Sequence, residues 1–316
     1  MPTSAFSEAT RQALAGVVTT VRLSEGATVA RTRTGEVRSS EDIAAIREAA
    51  LVARAAVDAA IRAAKVGVTP ESLAAIVEGV IASERAESAV LGAEIGRGAR
   101  FPAACCVGVN DRFVNAIPST TALVDGDVVT VDVAVRLRGW CADVADCTVV
   151  GRGNARTHAM VEGCNEMLAA AIALIAPGVR WSRVAQAMQQ VAADRSLGII
   201  TSVAGHGIGR ALHERPSAPC ALDRELVAQT DFTLIPGMVL AIEPTVADHA
   251  DGVRTLDADG YAVGVQLIDA GDGSSMRTVS GRHGCSVEST LVVTATGCER
   301  LDEVSSSTAS RPEHTS

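Results

Sequence analysis

The segments "AAIRAAKVGVTPESLAAIVEGV" (residues 59–80) and "AAIALIAPGVRWSRVAQAMQQV" (residues 170–191) align without gaps at a constant offset of 111 residues. Two Ala-rich helices can resemble each other by chance, but both segments also place Gly-Val between their helical parts. Each is followed by strand-like sequence, such as "DVVTVDVAVRL" (127–137) and "MVLAIEP" (238–244). The pattern predicts an α/β (α+β) fold of two similar halves, with helices on a curved antiparallel sheet in each, around a central cleft.

The region from residue 39 onward carries clear helix signals. "SSEDIAAIREAALVARAAVDAAIRAA" (39–64) opens with Ser and Asp at capping positions and repeats apolar residues at helical spacing, which predicts a long helix from about 40 to 65. A second helix follows, with Pro70 in its first turn. Residues 1–37 lack such a pattern and residues 303–316 are rich in Ser and Thr. We therefore expect an N-terminal extension, one domain over 38–302 and a disordered C-terminal tail.

The composition argues against several classes of protein. A net charge of −9 repels phosphate groups, and two Trp, one Tyr and four Phe are too few for a base-stacking platform. Nucleic acid and anionic membranes are therefore not expected partners. No apolar run approaches the ~18 residues of a membrane-spanning helix, and the N-terminus lacks the order of a signal peptide. We expect a cytoplasmic monomer. The eight cysteines form no CxxC motif, which predicts reduced structural thiols.

Two acids occupy a predicted β-hairpin. In "GDVVTVDVAVRLRGWCADVADCTVVG" (126–151) valines alternate with other residues, which is the period of a strand with one buried face. A hairpin centred between residues 137 and 138 would place Asp132 directly opposite Asp143, where their charges would repel unless cations lay between them. A turn one residue later would instead pair Asp132 with Ala145 and leave Asp143 in solvent.

Two further acids and one histidine extend this set. Glu243 closes the strand in "GMVLAIEP" (237–244), Glu288 lies within "CSVESTLVV" (285–293), and His206 stands between two glycines. A lone strand Glu is usually an exposed edge residue. Together, however, two Asp, one His and two Glu supply hard oxygen donors and one imidazole, which suits a pair of divalent metal ions such as Co, Mn, Fe or Zn.

Five motifs, in chain order, resemble those of the methionine aminopeptidases, members of the pita-bread family of metallopeptidases. The motifs are "VNDRFVNAIP" (109–118), "DGDVVTVDV" (125–133), "HGIGRALHERP" (206–216), "LIPGMVLAIEP" (234–244) and "SVESTLVVTATGCERL" (286–301). The similarity runs from about residue 38 to 302. It implies the pita-bread fold, with two halves around a metal cleft. The implied function is hydrolytic removal of methionine from the N-termini of nascent polypeptides by metal-activated water.

The resemblance assigns roles to individual residues. It makes Asp132, Asp143, His206, Glu243 and Glu288 the metal ligands. Glu243 would also carry the proton of the attacking water. His213 would polarise the scissile carbonyl and stabilise the oxyanion, although it could instead be a core or surface histidine at a helix start. The pocket for the methionine side chain would be lined by Phe101, Cys106, Leu212 and Tyr261.

The sequence also departs from the family pattern. Asn115 in "NAIP" stands where the family has a histidine that interacts with the scissile amide, and Ser289 replaces another histidine. Two pocket positions have lost aromatic bulk. The segment "AGDGSSMRTVSGRHG" (270–284) is predicted to be a flexible loop near the cleft. Three functions remain open: a methionine aminopeptidase, whose efficiency the replacement of the histidine by Asn115 would reduce; a related aminopeptidase or amide-processing enzyme of different specificity; and a non-catalytic binding protein.

Overall fold

The computed structural model describes residues 35–95, 98–248 and 256–304, together with the backbone of two strands at 19–22 and 28–31. Within these ranges there are four α-helices: α1 (Ser40–Ala63), α2 (Pro70–Ser83), α3 (Ala155–Leu174) and α4 (Trp181–Asp194). The strands before α3 are β1 (Thr19–Arg22), β2 (Thr28–Arg31), β3 (Glu36–Val37), β4 (Glu87–Ser88), β5 (Cys106–Val109), β6 (Arg112–Val114), β7 (Val128–Leu137) and β8 (Trp140–Val149). The strands after α4 are β9 (Leu197–Ile199), β10 (Ala204–Gly207), β11 (Glu214–Pro219), β12 (Val239–Ile242), β13 (Thr245–Asp248), β14 (Leu267–Asp269), β15 (Met276–Thr278), β16 (Gly284–Ser286), β17 (Ser289–Val293) and β18 (Cys298–Arg300).

The internal repeat is a repeat of structure. Helices α1 and α3 end at Ala63 and Leu174, and α2 and α4 span Pro70–Ser83 and Trp181–Asp194, so the offset of 111 residues recurs at all three boundaries. The predicted cap of α1 is present as well: the Ser39 hydroxyl accepts from the Asp42 amide at 3.2 Å, and the Asp42 carboxylate accepts from the Ser39 amide at 3.2 Å.

The repeated Gly-Val dipeptide has a conformational cause. Gly67 and Gly178 have φ values of +88° and +86°, which side chains of L-residues rarely adopt, so a glycine is favoured at this point of both copies. The same backbone contacts follow in each half. Gly67 donates to the Leu123 carbonyl at 2.8 Å, and Gly178 donates to the Leu234 carbonyl at 2.8 Å. These partners are again 111 residues apart, which supports the duplication predicted from sequence.

Strands β7 and β8 form the hairpin that carries two of the acids. Its turn consists of Arg138 and Gly139, both with positive φ, and Leu137 pairs with Trp140. Asp132 is therefore opposite Ala145, and the predicted direct pairing of Asp132 with Asp143 is wrong by one residue in the turn. The alternative was also wrong in one respect, because Asp143 is not in solvent: it is only 6% exposed.

Each half has its own aliphatic core. Helices α1 and α2 cover the sheet ordered β14-β15-β6-β5-β7-β4, with β8 paired to β7. Helices α3 and α4 cover the second half, which contains the sheet ordered β11-β10-β12-β17-β18 and the smaller sheet β16-β13-β9. All eight cysteines are free thiols, and seven of them are buried, as expected from the sequence.

The described residues include only parts of the predicted N-terminal extension and C-terminal tail. Within the predicted extension, β1 and β2 form a small antiparallel sheet with β3, which the sequence pattern did not indicate. Most of residues 1–34, and residues 305–316 of the predicted tail, lie outside the described residues. In the described ranges, no helix combines the length and apolar character needed to cross a membrane.

The predicted flexible loop at 270–284 contains regular structure. Strands β14 and β15 form an antiparallel hairpin, and β15 pairs with the edge strand β6 of the first half. Ser275, at the turn of this hairpin, is completely buried. The short polar residues of the segment therefore form hydrogen bonds to the first half instead of a loose loop.

Replacing Gly207 with alanine is expected to destabilise the protein. A Cβ atom at Gly207 would overlap the backbone carbonyl of Arg215 on the neighbouring strand, so β10 and β11 would have to separate. Overpacking of this kind costs about 1–3 kcal/mol. Gly79→Ala is the matched control, because the same added methyl group has open space there, in the middle of α2, and should stabilise the helix by up to ~1 kcal/mol. Thermal unfolding of both variants checks this, and an unchanged midpoint for Gly207→Ala would contradict it.

Candidate metal centre

One row of cross-strand neighbours joins the two halves and carries two acids. Asp132 of β7 pairs with Ala145 of β8, and Ala145 exchanges both backbone hydrogen bonds with Glu288, at 3.2 and 2.9 Å. Residues in register project their side chains to the same face of a sheet. Asp132 and Glu288 therefore flank the small side chain of Ala145, which leaves room for both carboxylates above its methyl group.

A second row lies two residues further along the strands. The Thr290 hydroxyl accepts from the Asp143 amide at 3.0 Å and donates to the Asp143 carbonyl at 2.8 Å, which holds β8 to β17. Thr290 then pairs with Ala241 of β12, and Ala241 pairs with His206 of β10. Because side chains two residues apart share a face, this row brings Asp143 and His206 to the face that carries Asp132 and Glu288.

The ligand atoms converge in two groups. Oxygens of Asp132, Asp143 and Glu288 lie within 4.8 Å of one another, and so do atoms of Asp143, His206 and His213. The Nε2 atom of His206 is 3.9 Å from Asp143 Oδ2 and 3.8 Å from Glu288 Oε1. Asp143 belongs to both groups. Asp143 therefore links the two groups into one cluster of candidate metal-ligating residues.

His206 is oriented by its own backbone. Its Nδ1 lies 3.0 Å from the Gly207 carbonyl, which can only accept, so Nδ1 carries the hydrogen and Nε2 is left with a lone pair facing the acids. Burial lowers the pKa of His206 to about 4, which keeps the ring neutral at neutral pH. Gly205 and Gly207, on either side of His206, allow close approach of β12 and β11, whose carbonyls occupy the space that a Cβ atom would fill.

The acids at this centre are crowded and withdrawn from water. Burial raises the pKa of Asp132 to about 6, and burial together with the neighbouring carboxylates raises the pKa values of Asp143 and Glu288 well above their usual range. Asp143 Oδ1 and Glu288 Oε1 are buried and have no hydrogen-bond partner among the described residues. Carboxylate oxygens in this state fit divalent cations, which would offset both the repulsion and the missing hydrogen bonds.

Glu243 stands at the edge of the same cluster. It follows directly on β12, one residue beyond the paired Ile242 and Ser289, and is therefore beside Glu288. Burial and the charge of Asp132 raise the pKa of Glu243 well above its usual range. Its backbone carbonyl accepts from the Cys220 thiol at 3.1 Å and from the Thr245 hydroxyl at 3.3 Å. Glu243 is partly accessible, so it can reach both the acids and the cleft.

His213 is exposed and lies in the loop between β10 and β11, so it is at the surface but does not begin a helix. Its ring is edge-on to that of His206, with centroids 4.4 Å apart, and partial burial lowers the pKa of His213. The next residue anchors the loop: the Glu214 carboxylate accepts from the Ala211 amide at 2.9 Å and from the guanidinium of the buried Arg38. The ion pair between Glu214 and Arg38 therefore fixes the loop that places His213 beside His206.

Asn115 is exposed in the loop after β6 and has a φ of +48°, which asparagine tolerates better than most residues. The loop folds back so that the Ala116 carbonyl accepts from the Val107 amide at 3.1 Å, next to Cys106, which pairs with Asp132. Two residues that the sequence reading missed hold this loop. Ser274 donates to the Asn115 carbonyl at 3.0 Å, and the Ser275 hydroxyl accepts from the Ile117 amide at 2.9 Å. The only sequence signal for them was the small polar residues of 270–284.

The predicted pocket residues differ in their surroundings. Cys106 pairs with Asp132 and is buried, Phe101 is buried, and Leu212 packs partly buried beside the first core. Tyr261 has different neighbours: the Arg224 guanidinium covers its ring at 4.6 Å, and its amide donates to Asp257 at 3.0 Å. The pocket assignment stays a prediction, and these contacts favour it for Cys106 more than for Tyr261.

Comparison with known proteins identifies metallopeptidases as relatives, which agrees with the candidate metal centre. Residues 44–295 match the family model described as metallopeptidase family M24. A methionine aminopeptidase of Treponema pallidum (strain Nichols) is 34% identical over 203 residues, which are 64% of this chain and 73% of that protein. The methionine aminopeptidase of Escherichia coli (strain K12) is 28% identical over 267 residues, which are 84% of this chain and 92% of that protein.

A solved structure agrees in fold. The methionine aminopeptidase of Thermotoga maritima superposes with a TM-score of 0.75 at 26% identity, over 85% of this chain and 100% of that one. The resemblance seen in the sequence motifs and the predicted pita-bread fold are thereby confirmed. The chain therefore belongs to metallopeptidase family M24, and it is a hydrolase that falls with the aminopeptidases of that family.

Proposed function

We propose that this protein removes the N-terminal methionine of newly made polypeptides at a centre of two divalent ions. The ligands would be Asp132, Asp143, His206 and Glu288, which the two rows bring together, and Glu243, which is beside Glu288. The observation that carries the proposal is the pair of buried oxygens, Asp143 Oδ1 and Glu288 Oε1, which lack partners among the described residues. Uncompensated buried carboxylates are costly in a protein that binds no cation there.

The ions would act as Lewis acids and lower the pKa of a bound water toward neutrality. Side chains of the protein carry out the proton transfer and stabilise the scissile carbonyl oxygen. Glu243, a partly accessible carboxylate with a raised pKa, accepts the proton of the water and delivers it to the leaving amine. His213 is neutral because its pKa is lowered, and it donates a hydrogen bond to the oxygen of the scissile carbonyl.

Recognition of the chain terminus would depend on charge and on the pocket. The carboxylate of Asp132 lies at the centre and attracts the free α-amino group, which limits cleavage to one N-terminal residue. Cys106, in register with Asp132, would contact the methionine side chain, and Phe101 and Leu212 would add apolar surface. Such a lining suits an unbranched thioether.

Asn115 favours a second candidate function, an aminopeptidase or amide-processing enzyme of different specificity. An amide forms hydrogen bonds but does not carry a proton, so asparagine at this position cannot act as an acid. The loop is held firmly by Ser274 and Ser275, so the residue occupies a defined place. A non-catalytic binding protein is a weaker candidate, because the full set of acids and His206 is kept at the centre.

Metal-free protein is expected to take up about two divalent ions and then to release methionine from Met-Ala-Ser. Calorimetry with Mn²⁺ or Co²⁺ measures the uptake, and a peptide panel with other N-terminal residues measures the specificity. Asp132→Asn and Glu288→Gln should each abolish tight binding of at least one ion, because each removes a ligand oxygen. Absence of metal uptake by the wild type would remove the catalytic proposal. Metal-dependent release of other residues, without methionine, would favour the second candidate.

The metal-free protein is expected to lose stability as the pH rises above the unfolded-state pKa values of its crowded carboxyl groups, 3.8 for Asp and 4.5 for Glu. Burial and neighbouring carboxylates raise the pKa values of Asp143, Glu243 and Glu288, so folding favours their protonated forms and this stability is lost as the pH rises through the folded-state pKa values. His206 has the opposite sign, because its pKa is lowered, but that effect is complete near its unfolded value of 6.5.

Thermal unfolding of chelator-treated protein, from mildly acidic to mildly alkaline pH, measures this loss. Glu288→Gln should make it smaller, because one of the crowded carboxyl groups no longer ionises. Glu78→Gln, at an exposed position of α2, is the control and should leave the loss unchanged. The explanation fails if both variants lose as much stability as the wild type over the same pH range.

Asn115→His is expected to raise the turnover of Met-peptides about tenfold or more, a barrier change of ~1.4 kcal/mol. Histidine supplies a group that can carry a proton, and it also tolerates positive φ. Metal affinity should stay the same, because position 115 is not a ligand, whereas His213→Ala should lower the rate in both backgrounds. Steady-state kinetics measure the turnover of Met-peptides, and the metal content of each variant is the control. A slower Asn115→His enzyme with full metal content would show that the cleft is adapted to a different substrate.

A further inference from the structure

A cluster of ionic and polar side chains lies behind the centre, on the opposite face of β8 and β17. Asp146 follows Ala145, and Ser289 follows Glu288, so both point away from the face that carries the proposed ligands. The Ser289 hydroxyl donates to Asp302 Oδ1 at 2.5 Å. Asp302 has a fully buried side chain, and Arg300 donates to its Oδ2 at 2.8 Å. We call these residues, together with Arg54, the rear cluster.

Arg54 of α1 connects the two sides of the rear cluster. Its Nη1 donates to Asp146 Oδ2 at 3.1 Å, and its Nε donates to Asp302 Oδ2 at 3.3 Å. Asp146 belongs to β8, and Asp302 holds Ser289 of β17. Ala145 and Glu288 form the backbone contact that joins the two halves at the centre, and we call this contact the joint. The Arg54 guanidinium therefore bonds to residues on both sides of the joint.

The position of this joint matters for the ligands. Asp132 and Asp143 belong to the β7–β8 hairpin, whereas Glu288 lies just before β17, so their separation depends on how β8 and β17 meet. Residues that fix the direction of ligands from outside typically change metal affinity ~10–100-fold when they are removed. The side chain of Arg54 is only 17% exposed, so its ion pairs are partly shielded from water.

We propose that Arg54 is a positioning residue of the metal centre, which sets the spacing of Asp132 and Asp143 relative to Glu288 from behind the sheet. The proposal rests on the proposed function, because it assumes that these acids bind cations. Arg54 touches neither ligand nor substrate. It acts through Asp146 and through the Asp302–Ser289 pair.

Arg47 provides a matched comparison on the same helix. It lies seven residues, about two turns, before Arg54. It also reaches across to the second half, with Nη2 at 2.9 Å from Glu299 Oε1 and Nη1 at 3.3 Å from the Arg300 carbonyl. Its partners belong to β18 and are not adjacent in sequence to a proposed ligand. Loss of Arg47 should therefore affect the contact between the halves without moving the ligands.

The test compares Arg54→Met with Arg47→Met, because methionine keeps an apolar stem and removes the charge. Mn²⁺ affinity by calorimetry and the thermal midpoint of the metal-free protein are measured for both. Arg54→Met should weaken Mn²⁺ binding about tenfold or more, whereas Arg47→Met should change it less than about twofold. Arg54→Lys should recover part of the affinity, because one ammonium can bond one of the two carboxylates.

Ser289→Ala keeps the test decisive if Arg54→Met does not fold. It removes the side-chain hydrogen bond from Ser289 of β17 to Asp302 without removing a charge, so it should also weaken Mn²⁺ binding. In the double variant with Arg54→Met the two effects should be less than additive, because both act through the same joint. Wild-type-like Mn²⁺ binding by folded Arg54→Met, or by Ser289→Ala, would overturn the proposal. So would an equal loss of affinity in Arg47→Met. If the wild type itself binds no metal, the proposed function fails first.

Discussion

Repulsion among buried carboxylates is the constraint on which the centre depends. Asp132, Asp143 and Glu288 present oxygens within 4.8 Å of one another, and Glu243 is beside Glu288. One oxygen of Asp143 and one of Glu288 lack partners among the described residues. A protein interior makes such charges expensive unless cations or protons neutralise them. The surrounding structure must therefore hold the acids together against their repulsion, and the metals of the family offer the compensation.

The two duplicated halves form the framework that holds these acids together. Each half lays a pair of helices on its sheet, and the same turn with a left-handed glycine, Gly67 or Gly178, connects the two helices of each pair. Neither half alone carries the complete centre. The hairpin of the first half provides two aspartates, the second half provides His206 and the glutamates, and the two meet where Ala145 bonds to Glu288. The proposed centre is thus at the junction of the two halves.

Two positions at which the motifs depart from their resemblance to the family are both tied into the surrounding structure. At Asn115, where the resemblance leads us to expect a histidine, the loop is held by consecutive serines of the β14–β15 hairpin. At Ser289, where it leads us to expect another histidine, the hydroxyl bonds to the buried Asp302 of the rear cluster. Both positions are therefore fixed by hydrogen bonds to residues that are distant from the acids of the centre in sequence or in the sheet.

The sequence by itself determined the helix pairs and their repeat, because helical periodicity, capping residues and a turn glycine are local properties. Its motifs also indicated the acids of the proposed centre, through their resemblance to the methionine aminopeptidases. It did not determine the pairing of Asp132, since moving the hairpin turn by one residue leaves the strand pattern unchanged. Only the tertiary structure placed Arg54, Ser274 and Ser275, whose partners are distant in sequence. It also showed that 270–284 includes a hairpin, because the edge of β6 that pairs with it exists only after the first half has folded.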